Sequence, residues 1–226
     1  MPPSIFLRIS AGNGCSKKCG NVAEDSYLTV AAPAEAAIRE RSSKFLAYIY
    51  PVRTETCIRE ILDTLRKRHY DATHHCYAWR TGPRGEQFRA NDDGEPSGTA
   101  GRPILGQLLS RELTDCLIVV VRYFGGTKLG VPGLIAAYRE SAAEAIAAAR
   151  IVELTVDRRI RVDFHYIALN DVMRVVKELQ PAVSRQEFGN CCTMELTVRE
   201  SLARVLIEKL EKAGASITSG GEEEKS

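Results

Sequence analysis

From Lys44 to Val52 the chain reads KFLAYIYPV, a run of aromatic and β-branched side chains that stops at Pro51, and this pattern predicts a strand. The period then changes. Thr54 stands where a helix N-cap would, Glu55 falls in the first turn, and Ile58, Ile61, Leu62 and Leu65 recur on one face. Arg66, Lys67 and Arg68 suit the negative end of such a helix. A second strand is predicted over His74 to Arg80 (HHCYAWR). The polar, glycine-rich stretch from Thr81 to about Arg102 is predicted to be one loop, too long for a plain connector. Pro103 can open a short helix with Ile104, Leu105, Leu108 and Leu109 inward, and CLIVVV at 116–121 is apolar on both faces, which marks a central strand. After a second glycine loop a long helix starts at Pro132, with Leu134, Tyr138, Ala142, Ala145 and Ala149 along one face.

The remainder follows the order β-α-β-β-α-β: strand 158–166, helix 169–179, strands 183–189 and 193–199, helix 201–213 and strand 215–218. In its first strand Ile160, Val162, Phe164 and Tyr166 alternate with Arg159, Arg161, Asp163 and His165, so one sheet face is buried and the other open. The predicted organisation is a flexible extension over 1–24, a first domain over 25–150, a second over 151–218, and a disordered tail over 219–226 that ends GGEEEKS.

Composition bounds the function. A chain of 226 residues with 44% hydrophobic and 27% charged content can bury a core in one large or two small domains. CLIVVV is far shorter than the roughly 18 to 20 apolar residues that cross a bilayer. Nothing among the first residues resembles a signal peptide, so a cytoplasmic location without membrane contact is expected. The seven cysteines have no C-x-x-C spacing, and the Cys15/Cys19 pair lacks a nearby histidine, so neither a metal nor another cofactor is expected. Residues 25–150 hold 17 Lys+Arg against 15 Asp+Glu, so any anion site must be local.

Two loops carry the candidate chemistry. Gly125, Gly126 and Gly130 free the backbone to present N–H groups, Thr127 adds a hydroxyl, Arg122 and Lys128 add charge, and a helix start lies just beyond. These six residues form a candidate phosphate or nucleic-acid site. No G-x-x-x-x-G-K-[ST] occurs, which excludes P-loop nucleotide hydrolysis. The other loop places Asp92, Asp93 and Glu95 beside Arg102. These carboxylates could hold magnesium through water, but pairing with Arg102, Arg122 and Lys128 is favoured because the Ca²⁺-loop spacing is absent. His74 and His75 are neighbours on a strand and point to opposite faces, so at most one, taken as His75, joins that loop. Tyr77 and Trp79 fit the core, and no nucleophile is matched to a base.

HHC at 74–76, DDGEPSGTAGRP at 92–103 and VVVRYFGGTKLGVPGL at 119–134 resemble the signatures of the IMPACT family in its bacterial YigZ-type form, and the resemblance spans roughly residues 25–218. It implies an α+β protein: a two-layer ribosomal-protein/elongation-factor-like α/β domain with a left-handed crossover, followed by a ferredoxin-like domain. Pro132-Gly133 departs from the Gly-Gly that family members often carry, and nothing resembles the RWD domain of eukaryotic members. The resemblance implies a translation-linked regulatory or binding protein that contacts RNA or the ribosome through the two loops, with the open sheet of the second domain free for a protein partner. The alternative is a metal-dependent or phosphate-handling hydrolase using His75, Asp93, Glu95 and Lys128; no residue is assigned as catalytic.

Overall fold

The strand predicted from CLIVVV, β6 (Cys116–Tyr123), is buried along seven of its eight residues because both its faces are covered. A computed structural model describes residues 25–219; the expected extension over 1–24 and the tail beyond Ser219 lie outside the described residues. β6 is the middle of a five-stranded sheet with β2 (Ala34–Glu40), β3 (Ser43–Pro51), β4 (His74–Thr81) and β5 (Gln87–Asn91), in the order β2-β3-β6-β4-β5.

Alternate residues of the central strands feed two cores. Leu117, Val119 and Val121 pack with Ile58, Leu62 and Leu65 of α1 (Glu55–Arg68). Cys116, Ile118 and Val120 pack with Ile104 and Leu108 of α2 (Gly101–Ser110) and with Leu134, Tyr138, Ala142 and Ala145 of α3 (Gly130–Ala148). Thr54 caps α1 as expected, accepting from the Cys57 N–H at 3.3 Å. The inward face of α2 is narrower than predicted, for Leu109 is 50% exposed.

The sheet order settles a point of chirality. β3 and β4 are parallel, each antiparallel to the β6 between them, and β5 and β6 are parallel on either side of β4. Two crossovers result, β3-α1-β4 and β5-α2-β6. A half-turn about the sheet normal carries one onto the other, so helices on a common face would give both the same hand. Because α1 and α2 cover opposite faces, the hands are opposite, and one crossover is left-handed against the strong right-handed default.

Three strands of this region have no strong sequence signal. β2 reads AEAAIRE, an edge strand without a buried residue, and β5 reads QFRAN within the stretch predicted as a continuous loop. The third, β1 (Ser26–Val30), pairs antiparallel with β7 (Ile151–Thr155) as a two-stranded sheet, so the chain beyond Arg150 first returns to the first described strand.

The carboxy-terminal elements match the predicted order: β8 (Asp157–His165), α4 (Leu169–Leu179), β9 (Ala182–Glu187), β10 (Cys191–Arg199), α5 (Glu200–Lys212) and β11 (Ser216–Ser219). Their sheet runs β11-β8-β10-β9, all antiparallel, which is the ferredoxin-like arrangement. The chain is thus α+β, a mixed α/β sheet unit followed by a ferredoxin-like one. Ile160, Val162 and Phe164 are buried against α4 and α5, but β8 ends at His165, and Tyr166 begins a short 3-10 turn in which it is exposed. Asp25, just before β1, is tied to the carboxy-terminal elements: its carbonyl accepts from the Val156 N–H at 2.7 Å and its carboxylate from the Ser201 hydroxyl at 2.5 Å, at the start of α5.

Candidate phosphate-binding site

The carboxylate loop is organised by its own backbone. Asp92 Oδ1 accepts from the N–H groups of Ala100 at 3.0 Å and Gly101 at 2.8 Å, and Oδ2 from that of Gly98 at 2.9 Å. Asp92 therefore fills the anion position at the start of α2, a distant counterpart of an N-cap. Burial would raise its carboxyl, but the donors of Gly98, Gly101 and Ala100, with the charge of Arg102, hold it below the ordinary carboxylate range. Gly101 permits this fold-back, since a Cβ there would stand 2.7 Å from the Asn91 nitrogen. Asp93 adopts φ 41°, and its Oδ2 accepts from the His75 backbone N–H at 2.7 Å.

Glu95 turns inward. Its Oε1 receives Arg122 Nη1 at 2.5 Å and the Tyr138 hydroxyl at 2.9 Å, with the side chains of Glu95 and Arg122 3% and 6% exposed. The Arg122 guanidinium lies 5.5 Å from the Phe45 ring centre and 5.6 Å from that of Phe124. The Tyr138 oxygen in turn accepts from the Cys76 thiol at 3.3 Å, and burial pushes both that phenol and that thiol far above their ordinary values. One carboxylate thus ties the loop to β6 and α3. The favoured pairing of loop carboxylates with arginine holds for Glu95 and Arg122, but it removes Arg122 from the exposed anion site to which its sequence position assigned it.

The two histidines point to opposite faces, as predicted, but it is His74 that meets the Glu95 cluster. Its Nδ1 is 2.8 Å from the Asp93 carbonyl oxygen and its Nε2 3.8 Å from Glu95. His75 lies on the α1 face, where burial lowers its pKa, Nδ1 stands 3.9 Å from Asp93 Oδ2, and Nε2 has no partner among the described residues. No group of three or more His, Cys, Asp or Glu side chains among the described residues is placed to hold a metal ion.

The second loop keeps its exposed charge. Gly125, Gly126, Thr127, Lys128 and Gly130 are all exposed, and Gly126 and Gly130 adopt φ of 86° and 74°. Gly125 is required for a different reason: a Cβ would meet the Ser42 carbonyl oxygen at 1.8 Å. Leu129, at the N-cap position of α3, gives no side-chain cap, so the first helical N–H groups are not taken by a cap.

Comparison with known proteins places this arrangement. The family model described as the Impact N-terminal domain matches residues 41–146. The IMPACT family member YvyE of Bacillus subtilis (strain 168) is 37% identical over 175 residues, which cover 77% of this chain and 81% of YvyE. The chain belongs to the IMPACT family. YigZ of Escherichia coli (strain K12), also an IMPACT family member, is 38% identical over 50% of this chain and 57% of its own. A crystal structure described as that of a hypothetical protein superposes with a TM-score of 0.65 at 26% identity, over 89% of this chain and 99% of that one.

Sequence reasoning passed over two members of the Glu95 cluster in this IMPACT chain, Tyr138 and Cys76. Tyr138 was placed on the inward face of α3 without a role for its hydroxyl, yet a phenol buried among alanines needs a polar partner, and that was a legible signal; Cys76 was noted only within HHC at 74–76. A second unpredicted network lies on the α1 face, where His69 Nε2 meets the Tyr48 hydroxyl at 2.9 Å and Nδ1 the Tyr123 hydroxyl at 2.8 Å.

Proposed function

We propose that this IMPACT family member is a translation-linked regulatory protein of the cytoplasm that contacts the phosphate backbone of structured RNA, on or off the ribosome, through the Gly125–Gly130 turn. The reading rests on one observation: Lys128 is exposed, without an ion pair among the described residues, beside a helix start that has no side-chain cap. Point charge and oriented N–H groups together favour an anion there, and contacts of this kind position a nucleic acid without reading its sequence. Arg122 supports the turn from beneath through Glu95 and Ser43, whose hydroxyl also accepts from the Gly125 N–H at 3.4 Å. We further assign the open face of the β11-β8-β10-β9 sheet to a protein partner, since Thr193, Glu195, Thr197 and Arg199 offer no aromatic platform for bases.

Binding of an RNA hairpin at graded salt tests this. Lys128→Glu should weaken binding of every sequence and flatten the log-log salt dependence by about one unit per lost contact. Equal affinity in wild type and variant, both folded, would remove the turn from the site.

A further inference from the structure

Helical arginines in this chain usually have a carboxylate three or four residues away: Arg59 pairs with Glu55, Arg66 with Asp63, Arg174 with Asp171 and Arg204 with Glu208. Arg102 on α2 and Arg139 on α3 depart from this. The positions three and four away hold Gly98, Thr99, Leu105 and Gly106 for the first, and Ile135, Ala136, Ala142 and Ala143 for the second. Neither arginine makes an ion pair among the described residues. The charge of Arg102 is felt by Asp92, but that carboxylate is already taken by three backbone N–H groups.

Both arginines line one open cleft of about 430 Å³ between α2 and α3, together with Gly98, Gly106, Gln107 and Ile135. Gly106 lies inside α2, where glycine weakens a helix, and a Cβ there would meet nothing within 4 Å. Internal packing therefore does not require the glycine, whereas a ligand approaching the helix backbone would. The cleft lies farther along α3 than the proposed Lys128 site. Arg139 follows Gly130 by nine residues of α3, about 14 Å at 1.5 Å per residue, a span that a few nucleotides of one strand can bridge.

We infer that the α2–α3 cleft is a phosphate subsite in which the guanidinium forks of Arg102 and Arg139 grip phosphate groups, with Gln107 beside them and the bare backbone of Gly106 as the floor. Guanidinium forks bind phosphate oxygens in pairs, a geometry that lysine does not reproduce. The phosphate comes either from an RNA strand running on from the Gly125–Gly130 turn, in which case the inference rests on the function proposed above, or from a small phosphorylated molecule.

The test compares the full chain, R102E/R139E, R102K/R139K and K128E, with an RNA hairpin and inorganic pyrophosphate as separate probes. Affinity is read at several salt concentrations and the amide resonances of Gly98, Gly106 and Gln107 are followed. For RNA, R102E/R139E should bind more weakly than wild type, with a salt slope about two units flatter. R102K/R139K should keep most of the slope and still lose affinity. Thermal unfolding controls for folding: R102K/R139K should leave it unchanged, and R102E/R139E, which sets a carboxylate near Asp92, should lower it only slightly. RNA binding that K128E weakens and R102E/R139E does not, with no response of the cleft amides to pyrophosphate, overturns the inference and leaves the proposed function standing. Wild type that ignores RNA but shows pyrophosphate shifts at these amides, lost in R102E/R139E, supports the subsite and overturns the RNA reading. No binding of either probe by wild type sinks both.

Discussion

Arg122 reaches across from β6 to place Nη1 2.5 Å from Glu95 Oε1, and both side chains are almost wholly removed from water. Two opposite charges buried in this way cost desolvation, and they hold their positions because each is the other's main compensation.

Removing one partner should therefore be severe. Glu95→Ala is expected to lower unfolding free energy by about 3 to 5 kcal/mol, because it strands the Arg122 guanidinium and removes the acceptor of Tyr138. The double variant Glu95→Leu/Arg122→Met should recover most of the loss. Urea unfolding of the three proteins measures this, and a double variant no better than the single one would show that the pair itself is net stabilising.

Asp92→Ala removes an acceptor that serves three N–H groups at the start of α2. A loss of about 2 kcal/mol is expected. Amide exchange at Gly98, Ala100 and Gly101 should accelerate more than exchange in β6. Uniform acceleration would show instead that Asp92 acts on the whole fold.

Acidification should destabilise the protein as it passes below about pH 6.5, the ordinary histidine value. Burial lowers the pKa of both His69 and His75, so between their folded values and 6.5 the unfolded chain binds more protons. Stability thus rises with pH through that window and is fully present above it. His75→Leu should flatten the slope between pH 5 and 7, since it removes one of the two groups. An unchanged slope would place the proton uptake elsewhere.

A fragment of residues 25–156 should unfold cooperatively and resist urea better than one of residues 25–150, because only the longer fragment keeps β7 on β1. Equal midpoints would mean that β1 stays in place without its partner.

Elements with a strong period were legible in the residues. α1 announced itself by Thr54, its apolar face and its basic end, and β6 by CLIVVV; α4 begins and ends where its pattern said. β2 turns Ala34, Ala36 and Ile38 to the core in alternation, but two of the three are alanines with little strand preference, while β5 has no buried residue and no alternation; the pairing of both is decided by the backbones of β3 and β4. At the candidate site the residues DDGEP marked a loop dense in carboxylates, but not which of them turns inward, which is set together with the fold-back at Gly101. Lys128 kept its exposed position while Arg122, six residues earlier and of the same charge, did not, since one lies in a turn and the other inside a central strand.

The pairing of β1 with β7 carries a cost in time. Partners such as Ser26 and Thr155 are separated by most of the described chain, so a ribosome adding roughly 5 to 20 residues per second needs about 6 to 25 s after β1 to supply its mate. For that interval the hydrogen-bonding edge of β1 that β7 will cover waits open, although the strand can already be anchored by the Leu28 carbonyl, which accepts from the Thr114 N–H, by the Thr29 hydroxyl, which donates to the Asp115 carbonyl, and by Val30 in the core. The newborn chain is most exposed to mispairing with a neighbour on the same message before residue 151 emerges, and slower translation across α3 would lengthen that window.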